Sequence, residues 1–287
     1  MFDEVLRVIE QLRGGAKSRL PYAQIRETMS AWAKYGVYSV YSKIPEELSV
    51  HRARRLENKK WFEFADDLGP PIPEKTITYG RCHKPKHPLC YCSLYESTAL
   101  AEVNAEFGEQ YVISTFTMPK DIRLIPVGEL DYYRRTRRTY IGNETKQSAE
   151  PHIEALGEED GVVAALIDAF LADEFIKQAT TQTDYKITSA LSDVLLNGDL
   201  KPQKPIDALV YPSVAFREGM NFAILPEPYK SKMKLVEAET KIIEITDVLG
   251  YGIFVCQLLA SLKSVSSDGR LKWEASDRQG SRNRYLA

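Results

Sequence analysis

The chain contains no run of about 18 consecutive apolar residues, so none of its helices is expected to span a bilayer. It also lacks an excess of either charge. Its 38 Lys and Arg against 40 Asp and Glu leave a net charge of −2, which gives no global pull toward nucleic acid or an anionic membrane. Only four cysteines are present, Cys82, Cys90, Cys92 and Cys256, and in a reducing compartment they are expected as free thiols. The glycine-rich patterns GxGxxG and GxxxxGK[ST] are missing, which excludes Rossmann and P-loop cradles for phosphate. No GxSxG elbow surrounds a serine, and no repeat of 20–50 residues is visible. The first residues, Met1-Phe2-Asp3-Glu4, put acids where a secretion signal needs positive charge, and a cytoplasmic location is expected.

What is present is an ordinary globular composition. The chain has 287 residues, 44% hydrophobic and 27% charged, enough for one large domain or two modest ones. Phe2, Val5, Leu6, Ile9 and Leu12 follow helical spacing and stop at Gly14-Gly15. A second helix is expected over about 22–34, since Pro21 suits a first turn. Residues 37–41 are β-prone, and 49–54, 89–94 and 111–118 read as strands. A helix is expected over 96–107. The polar stretch 131–151 reads as a loop or insertion, and helices return at 162–176 and from Ile187 to Asn197-Gly198. Strands are expected over 208–214, 235–245 and 254–265, with a turn at Ser267-Asp268-Gly269 leading to Leu271 and Trp273. Residues 276–287 read as a frayed polar tail. Strands and helices mix without regular βαβ alternation, which favours α+β over a doubly wound sheet.

Chemistry-bearing side chains gather in three separated stretches. The first is Val50-His51-Arg52-Ala53-Arg54. The second runs from Gly80-Arg81 through Leu89-Cys90-Tyr91-Cys92-Ser93 to Thr98-Ala99-Leu100-Ala101-Glu102. The third is Tyr211-Pro212-Ser213 with Gly219-Met220-Asn221. Guanidinium groups make two-pronged bonds to phosphates and cannot lose their charge. Small residues ahead of Glu102 would let its helix approach a neighbour while the carboxylate points into a cleft. A carboxylate facing a sugar ring stabilises the positive charge that develops when a glycosidic bond breaks. Alternation puts Arg52 and Arg54 on one strand face with Ala53 opposite. Glu96 is the local rival of Glu102 and is better explained as a first-turn acid. Each residue also has a plain reading: a solvated helix acid for Glu102, a core ring for Tyr91, a turn hydroxyl for Ser213 and a charged strand edge for the arginines.

In this order the stretches resemble the RES family, named for its Arg, Glu and Ser. The resemblance covers roughly residues 49–221. It implies an ADP-ribosyltransferase-like split β-sheet core within an α+β protein, acting on NAD. It also implies a toxin of a bacterial toxin–antitoxin pair, with a cognate antitoxin protein as partner and a homo-oligomer as an option. On this resemblance Glu102, Arg52 and Ser213 are the catalytic group. Arg52, Arg81, Tyr91, Ser213 and Asn221 hold NAD, with the arginines on the pyrophosphate and Tyr91 at the nicotinamide end. The implied division is an N-terminal helical extension over 1–45, a catalytic domain over 46–275 with a helical insertion at about 130–200, and a tail over 276–287. The run Cys82-His83-Lys84-Pro85-Lys86 replaces the small and polar residues that usually follow Gly-Arg.

Two other classes remain beside this one. Cys82, His83, His87, Cys90 and Cys92 could form a zinc site, although the spacing is not that of a standard finger and no metal is expected. The chain could also be a non-catalytic nucleotide- or protein-binding module on the same fold. A nucleic-acid role ranks last.

Overall fold

A computed structural model describes residues 2–16, 19–35, 44, 46–141, 157–197, 205–216, 219–250, 252–276 and 284–287. The helices, in chain order, are α1 (Phe2–Gln11), α2 (Tyr22–Tyr35), α3 (Glu96–Glu102), α4 (Glu129–Thr136), α5 (Gly157–Ile176), α6 (Lys186–Leu196) and α7 (Pro226–Lys232). The first strands are β1 (Leu48–Arg55), β2 (Cys90–Ser93), β3 (Gln110–Met118), β4 (Leu124–Pro126), β5 (Ala208–Pro212) and β6 (Met220–Ile224). They are followed by β7 (Lys234–Leu235), β8 (Lys241–Leu249), β9 (Ile253–Val265), β10 (Leu271–Ala275) and β11 (Arg284–Leu286). The protein is therefore mixed α+β, with helices at its N-terminus. It divides into two compact units: one of residues 1–45, 72–89 and 120–212, the other of 46–71, 90–119 and 213–287.

The first unit is mainly helical. Val5 and Ile9 of α1 are buried one turn apart, and the helix passes into a π turn over Leu12–Ala16, where Gly14-Gly15 weakens it. In α2, Ile25, Met29, Trp32 and Ala33 form the buried stripe. This helix is tied to α6 by Arg26 Nε on Asp193 Oδ2 at 2.7 Å and by the Tyr22 hydroxyl, which donates to the Ser189 carbonyl. Trp32 meets Phe170 of α5 edge-on, with ring centroids 5.7 Å apart. Strands β4 and β5 pair in parallel. The stretch 131–151, expected as a loop or insertion, instead supplies α4 over 129–136, and residues 142–150 lie outside the described residues. The start of α4 is capped from a distance, by Asp168 of α5 accepting the main-chain N–H groups of Gly128 and Asp131. A cap from another helix leaves no local sequence signature.

The second unit carries an antiparallel array in the order β10-β9-β8-β3-β1-β2-β6, with β7 also on β3 and β11 also on β9. Strands β1 and β3 pair along eight residues, from Leu48↔Met118 to Arg55↔Tyr111. By contrast, β1 and β2 meet at one position only, His51↔Ser93. The array therefore opens at this junction. The strand expected over 235–245 is interrupted by a 3-10 turn at Glu237–Glu239. There the Thr240 hydroxyl donates back to the Val236 carbonyl and accepts the Thr115 N–H. The expected frayed tail also needs correction, since residues 284–286 form β11 on β9. The β-prone stretch 37–41 lies outside the described residues.

Beside the α4 cap, Glu129 is buried and accepts the Tyr140 N–H at 2.6 Å. Burial, reinforced by Asp168, pushes its pKa up to about 7, and burial raises Asp168 to about 6. A carboxyl raised in the folded state contributes stability that is full below its unfolded value near 4.5 and lost as pH rises through about 7. Wild-type protein is expected to lose roughly 2 kcal/mol more than Glu129→Gln between pH 5 and pH 8. Urea midpoints of both proteins at the two pH values check this; equal losses would contradict it.

Candidate functional site

Helix α3 is fixed at both ends. At its start Glu96 takes an ion pair from Lys241 at 2.7 Å and a hydrogen bond from the Tyr285 hydroxyl. This carboxylate is committed to holding the helix. Thr98, Ala99 and Leu100 are buried, and Ala99 and Leu100 share a cluster with Ala53 of β1 and with Tyr111 and Ile113 of β3. Alanines at 53 and 99 let helix and strand approach closely, as the small-residue run suggests.

The helix ends sooner than 107. Asn104 adopts φ +48°, its N–H donates to the Ala101 carbonyl, and the Ala105 N–H reaches the Leu100 carbonyl. This is a Schellman ending with Asn at the left-handed position, a substitute for the usual Gly. The Tyr111 hydroxyl then accepts the Glu106 N–H at 3.1 Å and ties down the exit. Glu102 is consequently the last residue of the helix, at the point where the chain turns away.

Two side chains grip its carboxylate. The Ser213 hydroxyl and the Asn221 Nδ2 both donate to Glu102 Oε1, each at 2.6 Å. Ser213 Oγ in turn accepts the N–H groups of Ala215 and Phe216, at 3.1 and 3.0 Å. Asn221 Oδ1 accepts the Ser93 hydroxyl at 2.7 Å. Ser93, Ser213 and Asn221 are all buried, whereas Glu102 is half-buried. Its two bonds fall on one oxygen, which leaves Oε2 oriented and without a bond among the described residues. The loop carrying Ser213 closes through its N–H on the Gly219 carbonyl at 2.7 Å. Only glycine fits at 219, because a Cβ there would stand 2.5 Å from the Thr98 side chain and 3.1 Å from Ser213 Cβ.

Register sorts the remaining candidates. His51 faces Ser93 across the β1–β2 junction, and Ser93 faces Asn221. Alternation therefore puts His51, Ser93 and Asn221 on the face that α3 covers, and sends Arg52 and Arg54 to the opposite face. Tyr91, two residues before Ser93, shares the α3 face and is half-buried. Arg52 sits where the ladder opens and donates from Nη1 to the Tyr91 carbonyl at 3.0 Å. Its Nε is buried without a hydrogen-bond partner among the described residues. Arg54 donates to the Asp67 carbonyl and lies over the Phe62 ring, 4.7 Å from the centroid. Burial and the neighbouring Arg52 both lower the Arg54 pKa. Two partly desolvated cations thus stand side by side, each bound to a main-chain carbonyl, an arrangement that an anion would relieve. His51 binds the Thr115 hydroxyl at 3.1 Å, and burial lowers its pKa.

Arg81 belongs to the first unit. Its guanidinium donates to the carbonyls of Phe175 and Lys177 at 2.6 and 3.1 Å, and it stacks near Tyr185. These bonds cap the C-terminal end of α5, where a cation also meets the helix dipole. The five residues of the conceivable zinc site are divided: Cys82, His83 and His87 lie in the first unit, Cys90 and Cys92 in the second. Cys90 and Cys92 are buried with their sulfurs 3.9 Å apart. The hydrogen bond between them lowers the Cys90 pKa and raises that of Cys92. Among the described residues, no three His, Cys, Asp or Glu side chains stand together as a metal site.

The sequence reading missed Ser93 as a member of the Glu102 network and Asn104 as the helix stop. An Asn soon after a run of small helix residues is the signal that would have found the stop.

Two substitutions separate holding from capping. Gly219→Ala is expected to cost about 1–3 kcal/mol of stability, because Thr98 and Ser213 must move. Arg81→Ala is expected to cost about 1–2 kcal/mol through loss of the α5 cap. Chemical denaturation checks both, and a wild-type midpoint for either would contradict the assigned role.

The RES domain family model matches residues 49–241, about two thirds of the chain. A comparison with curated proteins finds no match. The match begins at β1 with its arginines, takes in Glu102, Ser213 and Asn221, and ends at the start of β8. The chain belongs to the RES domain family.

Proposed function

We propose that this protein binds NAD⁺ and breaks its nicotinamide–ribose bond, in the manner of an ADP-ribosyltransferase-like enzyme. One observation carries the reading: the Glu102 carboxylate is gripped through Oε1 by Ser213 and Asn221, with Oε2 left available. When the bond breaks, its electron pair leaves with nicotinamide and positive charge develops on the ribose ring. A carboxylate already fixed in place stabilises that charge without reorganising at the moment of reaction. Nicotinamide is a good leaving group, so no strong general acid is needed.

Ser213 serves as a positioning residue. Its proton is directed at Glu102 and its oxygen already accepts two main-chain N–H groups, which disfavours a nucleophilic role. Arg52, whose Nε is buried and whose Nη1 is held by the Tyr91 carbonyl, supplies positive charge for the pyrophosphate. Tyr91 offers its ring to the nicotinamide end. Water, inorganic phosphate or a protein side chain then accepts the ADP-ribosyl group. With water or phosphate the cellular consequence is NAD depletion in the cytoplasm and growth inhibition. That would require a neutralising antitoxin protein, and a second copy of the chain is a further candidate partner.

Nicotinamide release from NAD⁺ by wild-type protein and by Glu102→Gln tests the reading. Glu102→Gln keeps the size and removes the charge, and a loss of about 10²–10³-fold in kcat is expected. Absence of release by the wild type, with phosphate and candidate acceptor proteins present, would overturn it.

A further inference from the structure

We infer that Ser93 is a positioning residue that anchors the far end of the Asn221 amide and holds Nδ2 on Glu102. An asparagine side chain presents an acceptor oxygen and a donor NH₂ of nearly equal size, and its neighbours decide which way it points. Only one orientation of Asn221 serves Glu102. With Nδ2 toward Oε1 the amide donates a charge-assisted bond, whereas with Oδ1 there two acceptors would repel. Ser93 Oγ lies 2.7 Å from Asn221 Oδ1, at the far end of the amide from Glu102.

Glu102 dictates that Nδ2 faces it, and the Ser93 hydroxyl completes the arrangement by donating to Oδ1 at the other end. In the flipped amide the hydroxyl would have to turn its own donor away. Ser93 and Asn221 are directly paired residues of β2 and β6, and each is only 4% exposed. Bulk water is therefore poorly placed to replace either partner. A strand hydroxyl that touches no substrate thereby braces one of the two donors to the carboxylate. Ser93 also stands opposite His51, at the single position where β1 and β2 meet, so its backbone is fixed from both sides.

The inference rests on the proposed reaction only for its kinetic arm. The test compares wild type, Ser93→Ala and Ser93→Thr, each checked by thermal melting. The first readout is the Asn221 side-chain amide by ¹⁵N–¹H NMR, assigned with Asn221→Asp. Ser93→Ala is expected to shift this pair of resonances and speed its hydrogen exchange about tenfold or more, and Ser93→Thr to restore both. The second readout is nicotinamide release, where Ser93→Ala is expected to lower kcat about tenfold with little change in KM. An unshifted amide pair in a folded Ser93→Ala protein would overturn the inference. So would a folded Ser93→Thr that matches Ser93→Ala in both readouts. If the wild type releases no nicotinamide, the reaction assignment fails while the NMR arm still decides the role of Ser93.

Discussion

The hold on one carboxylate oxygen organises the β-rich unit. Glu102 can accept from Ser213 and Asn221 only because α3 stops at that residue. The helix stops there because Asn104 takes the left-handed conformation and the Ala105 N–H returns to Leu100. The opposite end of α3 is anchored by Glu96 to Lys241 and Tyr285, which draws β8 and β11 into the same support. A rigid scaffold of this kind suits a group whose task is electrostatic, because a carboxylate free to move would relax toward water. The arrangement also separates two acids six residues apart in the same helix: Glu96 is consumed by structure, and Glu102 keeps Oε2 without a bond among the described residues.

The junction between β1 and β2 is the second constraint. Eight paired residues hold β1 to β3, and one pair holds it to β2. Where a ladder opens, main-chain groups need other partners. The Arg52 guanidinium supplies one of them, on the Tyr91 carbonyl. Its cation is thereby placed at an opening in the sheet, away from the α3 face.

Much of this was legible in the sequence, for identifiable reasons. Alternation gave the strands that carry Arg52 and Tyr91, and small residues announced the close approach of α3 to β1. Asn221 and Ser213 could be named from short motifs, although neither motif says that both grip the same oxygen. The end of α3 was overextended to 107 because Val103 and Phe107 continue a helical pattern, whereas the stop depends on the φ of Asn104. Helix α4 was missed because its cap comes from Asp168, some forty residues on. Strand β11 was missed because a polar tail shows no pattern until Tyr285 finds Glu96. The setting of Arg81 was hidden for the same kind of reason: its carbonyl partners at 175 and 177 are nearly a hundred residues away.

In the proposed reaction Glu102 faces positive charge developing on a ribose ring. The most direct test is the kinetic isotope effect on nicotinamide release from NAD⁺ carrying deuterium at the ribose carbon bonded to nicotinamide. Rehybridisation at that carbon in a cation-like transition state predicts a clear normal effect, with the labelled substrate slower. An effect of unity, under conditions where bond cleavage limits turnover, would contradict the account.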